Sequence, residues 1–317
     1  MLAVELVTPD GERRWIGSRT PCAGGPDLTG AVVGNEGTFG IVTRAWVRLV
    51  PPPAGVHTLL AGFADADDAA RAVSGILAAG VVPAALEFMD EPILTALHDA
   101  YGLDFPEGAG AVLLVEVDGP EAGLDHEAGL AEKACLAAGA FQVDRAATAG
   151  ERELLWRARK RAFGALGRLS RNYCTQDGVV PRSRLPEVLK AIRRIGAEFG
   201  LRTANVFHAG DGNLHPVLLY DERIPGESER VVKASDAVLR VCLELGGSLT
   251  GEHGIGIEKV GLMAEAFSAD TLGAFQDVRH VFDPERRSNP DKLLPGGSGC
   301  ADPLGPGPRH PGRRAPL

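Results

Sequence analysis

Pro51-Pro52-Pro53 constrains this chain more than any other segment. Three successive proline rings donate no N–H to a sheet ladder and do not fit a helix interior, so the run before them must stop and an extended link must follow. A domain boundary is therefore expected at residue 53. Before it lie short strands and turns: Leu2 to Val7, a Pro9-Asp10-Gly11 turn, Arg14 to Gly17, and a strand over Ile41 to Val50. After it, strand-like and helical stretches alternate. Strands are expected at His57–Phe63, Ala84–Phe88, Ala111–Val117, Phe141–Arg145 and Tyr173–Val180. Helices are expected from an Asp65 cap to Ala79, and over Glu91–Ala100, Glu121–Ala138, Glu151–Leu169, Leu185–Phe199, Glu227–Leu245 and Ser268–Phe282. Such mixing, with at least one hairpin, implies an α+β domain in which helices flank an antiparallel sheet.

At 317 residues the chain can form two sizeable cores, and 44% hydrophobic with 24% charged residues is ordinary soluble composition. The net charge of −9 lacks the clustered basic face that nucleic acid requires, so no nucleic-acid partner is expected. Five scattered cysteines without a Cys-x-x-Cys pair read as free thiols. No apolar run reaches the length of a membrane span, and the start Met1-Leu-Ala-Val-Glu is not a signal peptide. A cytoplasmic protein is expected, peripheral to a membrane only through partner subunits. The Gly- and Pro-rich stretch 296–317 reads as a disordered tail.

Chemistry concentrates in two glycine-framed segments, His208-Ala-Gly-Asp-Gly-Asn-Leu-His215 and Gly251-Glu252-His253-Gly254. Asp211-Gly212 suits a two-residue hairpin turn between Thr203–Phe207 and Leu214–Tyr220, which would set His208 directly opposite His215. Opposed Cβ atoms are roughly 4.5–5.5 Å apart, a span that two imidazoles can close around one ion. Glu252 would complete a two-His, one-carboxylate set with room for substrate. The same residues also suit a packed cross-strand pair and an ordinary turn.

With these motifs in place the chain resembles the flavin-dependent 2-hydroxyacid dehydrogenases related to the glycolate oxidase D subunit and D-lactate dehydrogenase, which have the vanillyl-alcohol oxidase type of FAD fold. The match rests on Gly34-Asn-Glu-Gly-Thr-Phe-Gly-Ile-Val-Thr43, Phe207-His-Ala-Gly-Asp-Gly-Asn-Leu-His-Pro216, Gly246 through Lys259, and Phe282-Asp-Pro with Asn289-Pro-Asp-Lys292. It implies that residues 1–53 are the C-terminal part of an FAD-binding domain, 54–267 a substrate (cap) domain with the metal site, and 268–295 a segment returning to the FAD domain. It also implies that the chain starts inside the flavin domain, without the pyrophosphate loops.

The resemblance further implies FAD and a divalent metal, zinc or manganese, as cofactors, a small 2-hydroxy acid as substrate, and a flavin-domain or electron-transfer subunit as partner. His208, His215 and Glu252 would bind the metal, and His253 would be the base that takes the hydroxyl proton. Arg159, in a Trp-x-x-Arg pattern with Trp156, would clamp the substrate carboxylate through two parallel N–H bonds. Asn213 would touch substrate or hold the turn. Gly34, Glu36, Gly37, Thr38, Gly40, Ile41, Asn289 and Lys292 would contact the flavin. Gln176 stands where relatives usually carry an acid. Two other readings stay open: a flavin-free structural subunit, and a metal-dependent hydrolase using the same three ligands.

Overall fold

A computed structural model describes residues 1–21 and 24–296; the expected tail over 297–317 lies outside the described residues. In chain order, β1 (Ala3–Val7), β2 (Arg13–Gly17), α1 (Leu28–Val32) and β3 (Ile41–Trp46) precede the prolines. There follow β4 (Gly55–Phe63), α2 (Ala66–Ala78), β5 (Ala85–Asp90), α3 (Glu91–Tyr101), β6 (Ala111–Gly119), α4 (Glu121–Ala137) and β7 (Ala140–Arg145). Then come α5 (Ala149–Ala165), β8 (Asn172–Thr175), β9 (Gly178–Val179), α6 (Leu185–Phe199), β10 (Arg202–His208), β11 (Asn213–Leu214), β12 (Pro216–Tyr220) and α7 (Glu227–Glu244). The last elements are α8 (Met263–Ala266) and α9 (Ala269–Phe282).

These elements form two compact units, one from residues 1–50 and 254–296, the other from 51–253. Residues 254–267, expected in the substrate domain, pack with the first unit instead. That unit carries the sheet β2-β1-β3, with Leu6, Ile16, Val32 and Phe39 in its core and Phe39 stacked on Phe282 of α9 at 4.5 Å.

The second unit is a nine-stranded antiparallel sheet whose central strands run β4-β6-β5-β10. Both faces are covered, which explains why these strands read as unbroken apolar runs. On one face Leu59, Ala61, Phe63, Phe88, Leu113, Val115 and Phe207 pack with α2, α4, α6 and α7. On the other, Leu60, Met89, Val112, Ala204 and Val206 pack with α3 and α5. Strand alternation assigns Glu87, Glu116 and His208 to this second face. Ala158, Ala162 and Ala165 line the inner side of α5; such small side chains let a helix lie close to a sheet.

Two expectations are corrected by backbone bonding. Tyr173–Val180 is not one strand: it breaks at Gln176-Asp177, opposite the break that separates β11 from β12 at His215. Pro216 has no N–H to give the ladder, while its carbonyl accepts from Gln176 N at 3.0 Å. The hairpin also pairs differently, with His208 opposite Asn213 rather than His215. Ala209 and Gly210 donate instead to Leu86 O on β5, so β10 ends at His208 and a wider loop follows.

Candidate active site

The slip in register is by two residues, and a two-residue slip keeps every side chain on its face. His208 and His215 therefore become diagonal neighbours on one face instead of an opposed pair, with ring centroids 5.3 Å apart and planes nearly perpendicular. His208 occupies the last position of β10, directly across from Glu87 on β5. The Glu87 carboxylate divides its oxygens: Oε1 accepts from His208 Nδ1 at 2.8 Å, and Oε2 accepts from Arg159 Nε on α5 at 2.7 Å. Burial acts to raise the Glu87 pKa. The His208 hydrogen bond and the Arg159 and His208 charges outweigh it and hold the carboxyl below its ordinary value. In return the Glu87 bond raises the His208 pKa.

His215 is almost entirely buried, yet neither of its ring nitrogens has a hydrogen-bond partner among the described residues. Its Nε2 lies 3.0 Å from Glu252 Oε1 without hydrogen-bond geometry, and the same oxygen lies 3.6 Å from His208 Nε2. A buried imidazole with two idle nitrogens is costly, and one of them faces a carboxylate that also faces a second imidazole. Donors at 2.0–2.2 Å around a tetrahedral ion sit about 3.4 Å from one another. The observed separations bracket that value, and the donor atoms of His208, His215 and Glu252 all lie within 4.8 Å of each other. The residues fit a divalent ion.

Asp177 explains why Glu252 and His253 stand together although neighbours on an extended chain point apart. Its fully buried carboxylate accepts from the Thr250 hydroxyl and from the backbone N–H groups of Gly251, Glu252 and His253, the latter three at 3.0–3.1 Å. These bonds wrap residues 250–253 around one acid. The His253 ring then stacks on His215 at 4.9 Å, half exposed, with Nε2 4.0 Å from Glu252 Oε1. Asp177, His215 and His253 also lie close enough to share an ion. Three of these four donors already converge on Asp177 Oδ2 and the fourth is on Oδ1, which lies 3.7 Å from His215 Nε2, whereas Glu252 Oε1 lies nearer that nitrogen at 3.0 Å, and this favours the set built on Glu252.

Arg159 is held only through Nε; its two Nη groups have no partner among the described residues. The Trp156 indole, by contrast, donates to Glu116 on β6, which also accepts from Arg152 and Thr58. Asn213 is buried with its amide against Gly251 and its Oδ1 unpartnered. Its backbone N–H donates to Asp211 Oδ1, a local turn bond. Glu87 carried a signal that sequence reasoning passed over: a lone acid inside Ala-Leu-Glu-Phe-Met-Asp, a run otherwise apolar on both faces until its last residue.

In the first unit, Gly34, Gly37 and Gly40 adopt positive φ. A Cβ on Gly40 would meet Val7 O at 2.3 Å, so no side chain fits there. Gly37, Gly40, Ile41 and Asn289 line an open cavity of about 530 Å³ together with Asn35 and Arg287. Thr38 is buried against Asn35 O. The Glu36 carboxylate accepts from the N–H groups of Ile255 and Gly256, and Asn289 donates to Glu36 O. Lys292 lies 3.4 Å from Pro290 O.

Residues 52–293 match the family "FAD linked oxidases, C-terminal domain", and the chain belongs to it. It is 40% identical over 302 residues to the glycolate oxidase subunit GlcD of Escherichia coli (strain K12), covering 95% of this chain and 60% of that protein. It is 31% identical over 300 residues to a D-lactate dehydrogenase of Anaerostipes hadrus, covering 92% of this chain and 63% of that one. The chain thus spans about 60% of the length of these relatives. Among solved structures, 4-ethylphenol oxidase from Gulosibacter chungangensis superposes with a TM-score of 0.70 at 16% identity, over 92% of this chain and 65% of that chain. Among the described residues no helix is long and apolar enough to cross a membrane.

Proposed function

We propose that the chain forms the substrate-binding part of an FAD-dependent enzyme that oxidises a small 2-hydroxy acid, of the glycolate or D-lactate class, to the 2-oxo acid. The observation that carries this is the deeply buried His215, with two idle ring nitrogens beside Glu252 and His208. Kinship to a glycolate oxidase subunit and a D-lactate dehydrogenase supplies the substrate class. His208, His215 and Glu252 hold zinc or manganese; both accept mixed nitrogen and oxygen ligands. Such an ion supplies a Lewis acid that lowers the pKa of a coordinated hydroxyl. Flavin supplies the hydride acceptor. Gly34, Gly37, Gly40, Thr38 and Ile41, with Glu36, Asn289 and Lys292, make up the flavin-facing segment of the first unit.

The chain's own side chains do the rest. The two unpartnered Nη groups of Arg159 grip the substrate carboxylate through parallel N–H bonds and orient the carbinol carbon. His253, half exposed and stacked on His215, takes the hydroxyl proton on its free imidazole nitrogen as the hydride departs. Asn213 steadies the loop under Gly251 and lines the substrate side. The E. coli relative is a subunit of glycolate oxidase, and we assign this chain a partner subunit that takes the electrons onward.

Steady-state oxidation of glycolate and D-lactate by the flavin-loaded protein with an artificial acceptor tests the reading. Arg159→Met should raise KM at least tenfold, and His253→Asn should lower kcat by about 10²–10⁴-fold. Unchanged constants in both variants would refute the assigned roles.

A further inference from the structure

We propose that Glu87 is a positioning residue that fixes the tautomer of His208 and holds Arg159 with the same carboxylate, so that metal binding and substrate-carboxylate binding share one support. The proposal rests on the metal and substrate reading above. Glu87 is only 5% exposed and has no spare oxygen: Oε1 takes His208 Nδ1 and Oε2 takes Arg159 Nε. An ionised carboxylate only accepts, so His208 must carry its proton on Nδ1. The lone pair is then on Nε2, the nitrogen that lies toward Glu252. An imidazole fixed from behind by a carboxylate is oriented as a metal ligand and made a better donor.

A neighbouring acid shows what a purely structural brace looks like on the same face. Glu116 on β6 also binds α5, accepting from Arg152 through both Nε and Nη2, from the Trp156 indole and from the Thr58 hydroxyl. Fastening α5 to the sheet is therefore already accomplished one strand away. Glu87 differs in its partners: it holds an imidazole whose other nitrogen lies toward Glu252, and it leaves both Nη groups of a buried arginine unpartnered. Substitution by Gln should fail in a defined way. The amide oxygen can accept from one partner, but the NH₂ group then points at the other, which is itself a donor.

Three measurements on the full chain decide the matter. In the metal-free protein at about pH 8.5, where imidazole is mostly neutral, long-range 1H–15N spectra should show His208 protonated on Nδ1; protonation on Nε2 overturns the proposal. Mn2+ titration should give affinities in the order wild type, Glu87→Asp, Glu87→Gln, with Gln weaker by about 10–100-fold. Glu116→Gln, which loosens the structural brace, should bind Mn2+ within about twofold of wild type. Glu87→Gln binding Mn2+ as wild type does would overturn the proposal, as would an equal loss in Glu116→Gln. If Glu87→Gln does not fold, the His208 tautomer decides. Wild type binding neither Mn2+ nor Zn2+ would instead overturn the ligand set, and the tautomer would still report on Glu87.

Discussion

Asp90, at the end of β5, is buried with one carboxylate oxygen bonded to Asn205 Nδ2 at 2.8 Å and the other unpartnered. Burial pushes its carboxyl up to about 7. The folded state then holds the proton more tightly than the unfolded chain. Its contribution is fully present below the unfolded value near 3.8 and is lost as pH rises toward 7, a change on the order of 4 kcal/mol. Asp90→Asn mimics the protonated acid and should stabilise the protein by about 2–4 kcal/mol at pH 8, by less than half as much at pH 5 and hardly at all at pH 3, measured by urea unfolding. Asp177 makes the opposite kind of demand, since its four donors need a full carboxylate. Asp177→Asn should release residues 250–253 and weaken Mn2+ binding more than tenfold, and unchanged affinity would show that Glu252 is placed by other means. The histidines and Glu252 were legible in the sequence because glycines frame them. Glu87 and Asp177 were not, since what marks them is the burial of an acid and the direction of its hydrogen bonds, which exist only in the folded chain.

At the scale of elements, most helices were legible because each begins at a recognisable cap or alternates apolar positions on one face. Asp65 accepts from Asp68 N ahead of α2, and Ser268 from Thr271 N ahead of α9. The hairpin register was not legible, because Asp211-Gly212 suits a tight turn locally while Leu86 O, more than 120 residues earlier, captures Ala209 and Gly210. The His208 and His215 pairing survived that error because of the period of two along a strand. Gly212 is where the loop is most sensitive: its φ is +79°, and a Cβ there would meet Val180 O at 2.2 Å. Gly212→Ala should cost about 1–3 kcal/mol of stability and weaken Mn2+ binding together, because the same loop carries His208 on one side and His215 on the other. Loss of stability with full Mn2+ affinity would separate the loop from the site.

At the scale of the whole molecule, the second unit runs from Pro51 to His253 with every proposed metal ligand inside it. A ligand that binds only the folded chain stabilises it by mass action, about 2.7 kcal/mol at a hundred times Kd. Saturating Mn2+ or Zn2+ should therefore raise the melting temperature of the wild-type chain, and the rise should vanish in Glu252→Ala. Calorimetry with and without chelator measures it. The proposed site stands or falls with His208 and His215 as ligands, so the decisive measurement is metal analysis of the His208→Ala, His215→Ala double variant. After equilibration with Mn2+ and gel filtration, the wild-type chain should retain about one ion and the double variant less than about a tenth of that. Full retention of the ion by a folded double variant would rule out His208 and His215 as its ligands.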